Sequence, residues 1–326
     1  IKGNSKLTPN NNVTLVWKNK QGLTFEKIIK IDNQYLFTIE QKIKNNSDKI
    51  YSFYPYAQII RTKIPEIIDF FILHEGPLGV LDDQLIEKDY KDILDKKYSK
   101  NANNGFLGIT DKYWLTSIIP QKNKKFRADF EYNEKFKVNY IETDSYDSKP
   151  NAQISNIVNV VVAAKEVNVI DGYNESLGLK KFDLVIDWGW FYWIVKPLFF
   201  LNDYFFKLAG NYGIAIILIT VCLRLAFFPL NNYAFKSMSR MKLVQPEMAR
   251  LKEIHKDDKM KLQQAMMQLY KKEGINPVSG CLPILISIPF FFAIYKMLFV
   301  TIEMRHQPFF GWIKDLSEKD PTSIFN

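Results

Sequence analysis

The sequence predicts a multi-domain membrane protein: an antiparallel β-sandwich followed by an α-helical membrane region that carries a cytoplasmic helical hairpin. Three observations carry this reading. Period-two alternation recurs in the first half, two long apolar runs lie in the second, and a basic polar stretch separates those runs. The chain has 326 residues, enough for one large domain or two ordinary ones. Aromatic residues reach 15% although charged residues make up 24%, so the composition itself is two-sided.

Residues 1–178 are expected to form the sandwich. Tyr35, Phe37 and Ile39 alternate with Leu36, Thr38, Glu40 and Lys42, and Phe126, Ala128, Phe130 and Tyr132 alternate more cleanly with Lys125, Arg127, Asp129 and Glu131. Such alternation marks strands with one buried and one wet face. Turn-forming clusters at 19–22, 32–33, 45–48 and 101–105 separate the runs. Many short strands with regular turns suggest an antiparallel sandwich.

Residues 179–209 change character. Between 182 and 208 the chain is dense in Trp, Phe, Leu and Ile, yet it carries Asp183, Asp187, Lys196, Asp203 and Lys207, with Pro197 in its middle. So many charges make a poor crossing, and Trp188, Trp190, Tyr192 and Trp193 are residue types that settle at the headgroup level. An amphipathic helix in the interface is expected, with a spanning helix as the alternative. Residues 210–232 are the first expected crossing: 212–230 is apolar but for Arg224, close to the ~20 residues that cross ~30 Å of hydrocarbon. Residues 276–302 are the second, apolar except for Lys296, which lies near one end where its stem can snorkel.

Between them, 233–275 is expected to be a polar helical hairpin, with its turn at 255–259. Residues 231–276 carry ten Lys or Arg against five Asp or Glu, a net of +5. The positive-inside rule puts that loop in the cytoplasm. The β unit and the segment 303–326, with Glu303, Asp315, Glu318 and Asp320, then lie outside. The overall charge of +9 points to anionic surfaces, lipid or ribosomal RNA, without choosing between them. Ile1 rather than Met opens the chain, so a signal peptide or first anchoring helix is expected before it, and a continuation after Asn326.

Arg224 weighs most among single residues. A charge at membrane depth costs at least ~2.5–3.5 kcal/mol, so such a residue faces a partner or a water-filled cavity. Snorkelling to the headgroups is the plainer alternative, six residues before Leu230. Thr220 lies one turn earlier on the same face, and no Asp or Glu in residues 277–301 could neutralise the arginine. An unpaired guanidinium facing a cavity would accept a visiting carboxylate. The hairpin holds Met238, Met241, Met248, Met260, Met266 and Met267. Their flexible thioethers could repack around varied partners, or simply fill the seam between two helices. In the second crossing, Pro283 and Pro289 free backbone carbonyls. Leu282, Leu285, Ile288 and Phe291 step by three to give an apolar face, which is ordinarily turned to lipid or to another helix.

Catalytic chemistry is not indicated. Cys222 and Cys281 lie in apolar runs and frame neither a disulfide nor a metal cluster. His74, His255 and His306 have no nucleophile or metal spacing around them, and His74-Glu75-Gly76 lacks the second histidine of a zincin. No cofactor, no metal and no enzymatic activity are expected.

The run Asn276-Pro277-Val278-Ser279-Gly280-Cys281-Leu282-Pro283, followed by Ile288-Pro289-Phe290-Phe291, resembles the third membrane helix of the YidC-type bacterial insertases, the YidC/Oxa/Alb family. Pro308 to Leu316 with Asp320-Pro321 is similar to the segment that follows it. Asn211-Tyr212-Gly213, Thr220, Arg224 and Pro229-Leu230 resemble the family's second helix, and Phe182-Asp183-Leu184 with Asp187-Trp188-Gly189-Trp190 the entrance to its interfacial helix. The resemblance covers residues 182–326 with specific motifs and residues 1–170 more weakly.

It implies a periplasmic β-sandwich in the bacterial inner membrane system and a hydrophilic groove open to the cytoplasm and the lipid. Arg224 and Thr220 fall on the groove, and Leu282, Leu285, Ile288 and Phe291 on a slide for the incoming apolar segment. The hairpin would receive ribosomes and targeting factors. Nascent membrane proteins are the implied clients, with the Sec translocon and anionic lipid as further partners. The family continues with three more membrane helices and begins with one that this chain lacks. A channel or transporter lined by Arg224, or a membrane-anchored periplasmic binding module, are the rival readings.

Overall fold

The computed structural model describes residues 1–65, 73–256, 258–274, 280 and 282–318. Asp257 of the expected hairpin turn, Asn276 to Ser279 and Cys281 of the second crossing, and Asp320-Pro321 lie outside the described residues. The chain divides into two compact units: Ile1–Gly189 with Val300–Glu303, and Trp190–Phe299 with Met304–Asn326.

The first unit is an antiparallel β-sandwich. Its larger sheet is built from β1 (Val13–Lys18), β2 (Leu23–Ile31), β3 (Leu36–Asn45), β6 (Gly76–Leu81), β7 (Gln84–Glu87), β9 (Gly105–Thr110), β10 (Trp114–Ile119) and β14 (Gln153–Ala164), in the order β1-β2-β3-β14-β10-β9-β6-β7. The smaller sheet orders β5 (Tyr56–Arg61), β12 (Lys135–Glu142), β11 (Phe126–Asn133) and β8 (Tyr98–Ala102) as β5-β12-β11-β8. A short ribbon pairs β4 (Tyr51–Phe53) with β13 (Tyr146–Ser148). Helix α1 (Tyr90–Asp95) follows β7, and α2 (Val167–Ser176) follows β14.

Local chemistry sets the turns. Asn19 Oδ1 accepts the Gln21 and Leu23 N–H groups at 3.0 and 2.9 Å, closing the β1–β2 hairpin. Asp32 Oδ1 does the same for Gln34 and Leu36 at 2.8 Å each, closing β2–β3. Tyr35 belongs to that second turn, at φ 68°, and not to a strand. Strand β3 is half-buried along nearly all its length, at odd and even positions alike, so the period two read there separates no wet face.

On β11 the alternation is physical: Phe126, Ala128 and Phe130 are buried, while Tyr132 emerges at the strand end. Asp129, on the opposite face, is covered by Lys97 at 3.2 Å, Arg127 at 3.1 Å and the Ser99 hydroxyl at 2.6 Å. Burial pushes its carboxyl up, but the Ser99 and Lys97 hydrogen bonds outweigh it and hold it below the usual range. The core fills the space between the sheets. Leu81, Leu107, Ile109, Ile118 and Val158 come from the larger sheet, and Phe126, Phe130, Phe136, Val138 and Tyr140 from the smaller, closed by Tyr90 and Ile93 of α1.

The second unit is helical: α3 (Tyr192–Ala209), α4 (Tyr212–Leu243), α5 (Gln245–Ile254), α6 (Lys259–Lys272) and α7 (Leu282–Val300). Gly210, at φ 66°, ends α3 with its N–H on Phe206 O at 2.7 Å. Asn211 then caps α4, accepting from Ile214 N–H at 3.2 Å. Helices α4 and α7 are long and apolar enough to cross a membrane. Helix α4 does not break at Asn231-Asn232 but continues through its basic end at Arg240 and Lys242, giving 32 residues, about 48 Å at ~1.5 Å per residue. His255 follows the last residue of α5, and Asp258 caps α6 by accepting from Lys261 N–H at 3.0 Å. Lys296 departs from expectation: it is 2% exposed, enclosed by protein instead of snorkelling.

Candidate functional site

The expected groove residues stand on one stripe of α4. Thr220, Arg224 and Phe227 follow at i, i+4 and i+7, and are neighbours on a helix surface. Thr220 and Arg224 are exposed. The Thr220 hydroxyl donates back to Ile216 O at 2.8 Å, which satisfies it within its own helix. Phe227 packs edge-on against Phe290 of α7, ring centroids 5.0 Å apart. That contact ties the stripe to the second apolar helix one turn beyond Arg224. Arg224 makes no ion pair or hydrogen bond to any described residue.

Around Arg224 the helix is bare: Ile217, Val221, Leu225 and Phe228 are exposed large apolar residues. The guanidinium therefore lies at the border between the packed stripe and a broad greasy surface. This arrangement can attract an anion beside an apolar slope.

On α7, Leu285, Ile288 and Phe291 are exposed, and Leu282 is half-buried. The reason is geometric. At about 100° per residue, a step of three falls about 60° short of a full turn each time, so a three-step series winds round the helix. The residues that do form one exposed ridge are Ile284, Ile288, Phe291 and Tyr295, spaced i, i+4, i+7 and i+11. Ile284 and Tyr295 were missed, and helical spacing of fours and threes would have found them.

The six methionines divide four ways. Met248 belongs to the α5–α6 seam, where its sulfur receives the Tyr270 hydroxyl at 3.9 Å. Met241 and Met266 are half-buried. Met238 lies on α4 against Gly280. Met260 and Met267 are exposed on α6, where with Gln263, Gln264 and Gln268 they line a shallow hollow.

After α7 the chain folds back on the start of α4. Asn211 Nδ2 donates to the carbonyls of Pro308 and Phe309 at 3.3 and 3.2 Å, and the Phe309 ring lies against Gly213. Asp315 gathers this segment: its carboxylate receives the His306 and Ser317 N–H groups at 3.1 and 2.8 Å, the Ser317 hydroxyl at 2.7 Å, and pairs with His306 Nδ1 at 2.7 Å. This hub was not anticipated, since nothing local pairs positions 306 and 315.

Two family models divide the chain almost without gap. The model described as the YidC periplasmic domain matches residues 2–201, and that described as the 60Kd inner membrane protein matches residues 204–326. The chain belongs to the YidC family. Its β-sandwich is a YidC periplasmic domain, and the family is one of the inner membrane.

Among curated relatives, the membrane protein insertase YidC of Pelagibacter ubique (strain HTCC1062) is 64% identical over 326 residues, covering 100% of this chain and 58% of that protein. The YidC insertases of Nitrobacter hamburgensis and Brucella suis are each 48% identical, over 99% and 100% of this chain and 56% and 55% of their own lengths. The chain thus spans little more than half the length of these relatives. A YidC insertase crystal structure with its first transmembrane domain resolved aligns with 94% of this chain and 60% of its own, at 18% identity and a TM-score of 0.38.

Proposed function

We propose that this YidC-family chain supplies the receiving surface of a membrane protein insertase, which takes nascent membrane proteins and releases their hydrophobic segments into the inner membrane. Arg224 carries the proposal: a guanidinium on an apolar crossing helix, bonded to no described residue, one turn from the contact with α7. A charge at that depth is costly and persists where it meets something.

In this reading no covalent step and no ATP are needed. A client's polar tail leaves water for a hydrophilic groove, where Arg224 attracts its acidic groups in a low-dielectric setting. Thr220 extends the polar strip. The client's apolar segment passes along the exposed side of α7 into lipid, and its burial drives the step at ~25 cal/mol per Å². The α5–α6 hairpin faces the cytoplasm by its positive charge, where ribosomes, targeting factors and anionic lipid are the partners its basic and methionine-bearing faces suit. The β-sandwich stands outside. The reading is the same whether the protein acts alone or beside the Sec translocon.

The test is site-specific crosslinking from positions 224 and 288 of the full-length protein to a stalled nascent membrane protein. Crosslinks from both are expected. Silence at both, with the client membrane-bound and the protein folded, would overturn the reading. Arg224→Ala is expected to slow insertion of acidic-tailed clients by roughly tenfold or more, the worth of a ~1.5–3 kcal/mol charge-assisted bond, and to spare neutral-tailed ones. An ion current through purified protein that vanishes in the same variant would favour a channel instead.

A further inference from the structure

The segment after α7 ends in a braced tip that the insertase mechanism does not use. Ile313 N–H donates to Phe310 O at 3.3 Å and Phe309 N–H to Ile313 O at 3.0 Å, so residues 310–313 form a tight turn. Gly311 supplies the left-handed conformation of that turn, at φ 64°. Below it, Leu316 N–H donates to Gln307 O at 3.0 Å, and Asp315 ties in residues 306 and 317. The loop is thus closed along both arms. Its two large tip side chains are left in the open, Phe310 at 60% exposure and Trp312 at 65%.

The base of the loop is fixed to the start of an apolar helix. Asn211, the cap of α4, holds the Pro308 and Phe309 carbonyls with its amide, and the Phe309 ring lies against Gly213 in the first helical turn. The Phe310 ring packs beside that of Phe309, centroids 4.8 Å apart. Phe310 and Trp312 are one and three residues beyond Phe309. At ~3.4 Å per residue the tip stays within about 10 Å of the level where the apolar span begins. A headgroup layer is ~5–8 Å deep on each side of the hydrocarbon, so the tip has the reach of that layer. Arg305 and Lys314 are exposed in the same loop.

We propose that residues 305–317 anchor the protein in the leaflet at the start of α4, with Phe310 and Trp312 entering the boundary between phospholipid headgroups and acyl chains. The proposal rests on the insertase reading for α4 being a crossing helix and for that leaflet being the outer one. Three physical points select phospholipid. Tryptophan settles at headgroup depth, and the neighbouring cations suit phosphate oxygens. Small-molecule sites are concave, whereas these rings stand on the outside of a turn, which a bilayer accepts. A loop already closed by its own hydrogen bonds loses little freedom on insertion. Anchors of this kind set the depth and tilt of the helix they are tied to.

The experiment uses full-length protein freed of its cysteines, with Trp312→Cys carrying an environment-sensitive fluorophore, in phospholipid vesicles. The lipids are brominated either near the headgroup or near the chain end. A greater loss of fluorescence with shallow than with deep bromines is expected, with little loss to aqueous iodide. Phe310→Cys with the same label should give the same ranking, and guards against one variant misfolding. A label at exposed position 221 of α4 should lose more to the deep bromines. If 221 behaves so while 310 and 312 lose fluorescence to iodide alone, the loop stands in water; the anchor is overturned and the crossing stands. No loss to either quencher at 310 and 312 means that protein covers the tip, which also overturns the anchor. If lipid bromines leave 221 untouched, α4 is not a crossing and the insertase reading falls with the proposal.

Discussion

Asp315, in the segment after α7, shows how much one side chain can organise. Burial works to raise the Asp315 carboxyl, but hydrogen bonds from Ser317 and His306 outweigh it and hold it at about 2. An unfolded Asp titrates near ~3.9. The folded value is the depressed one, so the contribution of Asp315 is full above about pH 4 and is lost as the pH falls towards 2. Amide exchange at His306 and Ser317, corrected for intrinsic rates, is expected to quicken across that window. Asp315→Asn is expected to exchange fast on both sides of it, and protection that survived in this variant would show that the backbone alone holds the loop. At Gly213 the constraint is steric: a Cβ there would overlap the Phe309 ring. Gly213→Ala should destabilise the helical unit by about 1–3 kcal/mol, as overpacking does. Phe309→Ala in the same chain should recover most of that in thermal unfolding, and additive losses would mean the two residues are not coupled.

At the scale of elements, spacing decides which faces are used. The exposed ridge of α7 is Ile284, Ile288, Phe291 and Tyr295, and Leu282 lies off it. If clients travel along α7, crosslinkers at 284 and 295 should capture them more strongly than one at 282; equal capture at all three would argue against a defined ridge. In the β unit, Gly105 opens β9 at φ 133°, and a Cβ there would overlap the Val80 carbonyl across the β6–β9 pairing. Gly105→Ala is expected to cost about 1–3 kcal/mol from backbone strain alone, with separation of the two strands added. Chemical denaturation of the full chain would measure it, and an unchanged midpoint would mean β9 has another way to start. The length of α4 is also an element-scale fact. Asn231 and Asn232 are poor helix formers, yet the helix passes through them, and Ala234 just beyond is buried, so packing overrides propensity.

For the whole molecule, the strongest expectation is topological, and it comes from charge. Residues 231–276 carry a net of +5, from which the positive-inside rule predicts a cytoplasmic hairpin with the β unit on the other side. With Cys222 and Cys281 replaced by Ser, a cysteine at exposed position 157 should react with a membrane-impermeant maleimide on intact spheroplasts, and one at exposed position 260 only on inverted vesicles. Labelling of both from one side would break the assignment of the two crossings. The sandwich and the two apolar helices were legible because each is written in local periodicity and in where charges are absent. The enclosure of Lys296 was not. Its position near a helix end suggested a free stem, but burial depends on which segments pack over it.

The sequence by itself determined the division into β and helical units, the two apolar helices, the basic hairpin and the position of Arg224. These follow from periods of two and 3.6 and from where charges are absent, which are properties of neighbours along the chain. Only the tertiary structure decided that Lys296 is enclosed, that the Phe309 ring closes on Gly213, and that Asp315 gathers His306 and Ser317. Each depends on register, packing or loop closure between residues far apart in sequence or on different elements. No window of neighbouring residues contains that information.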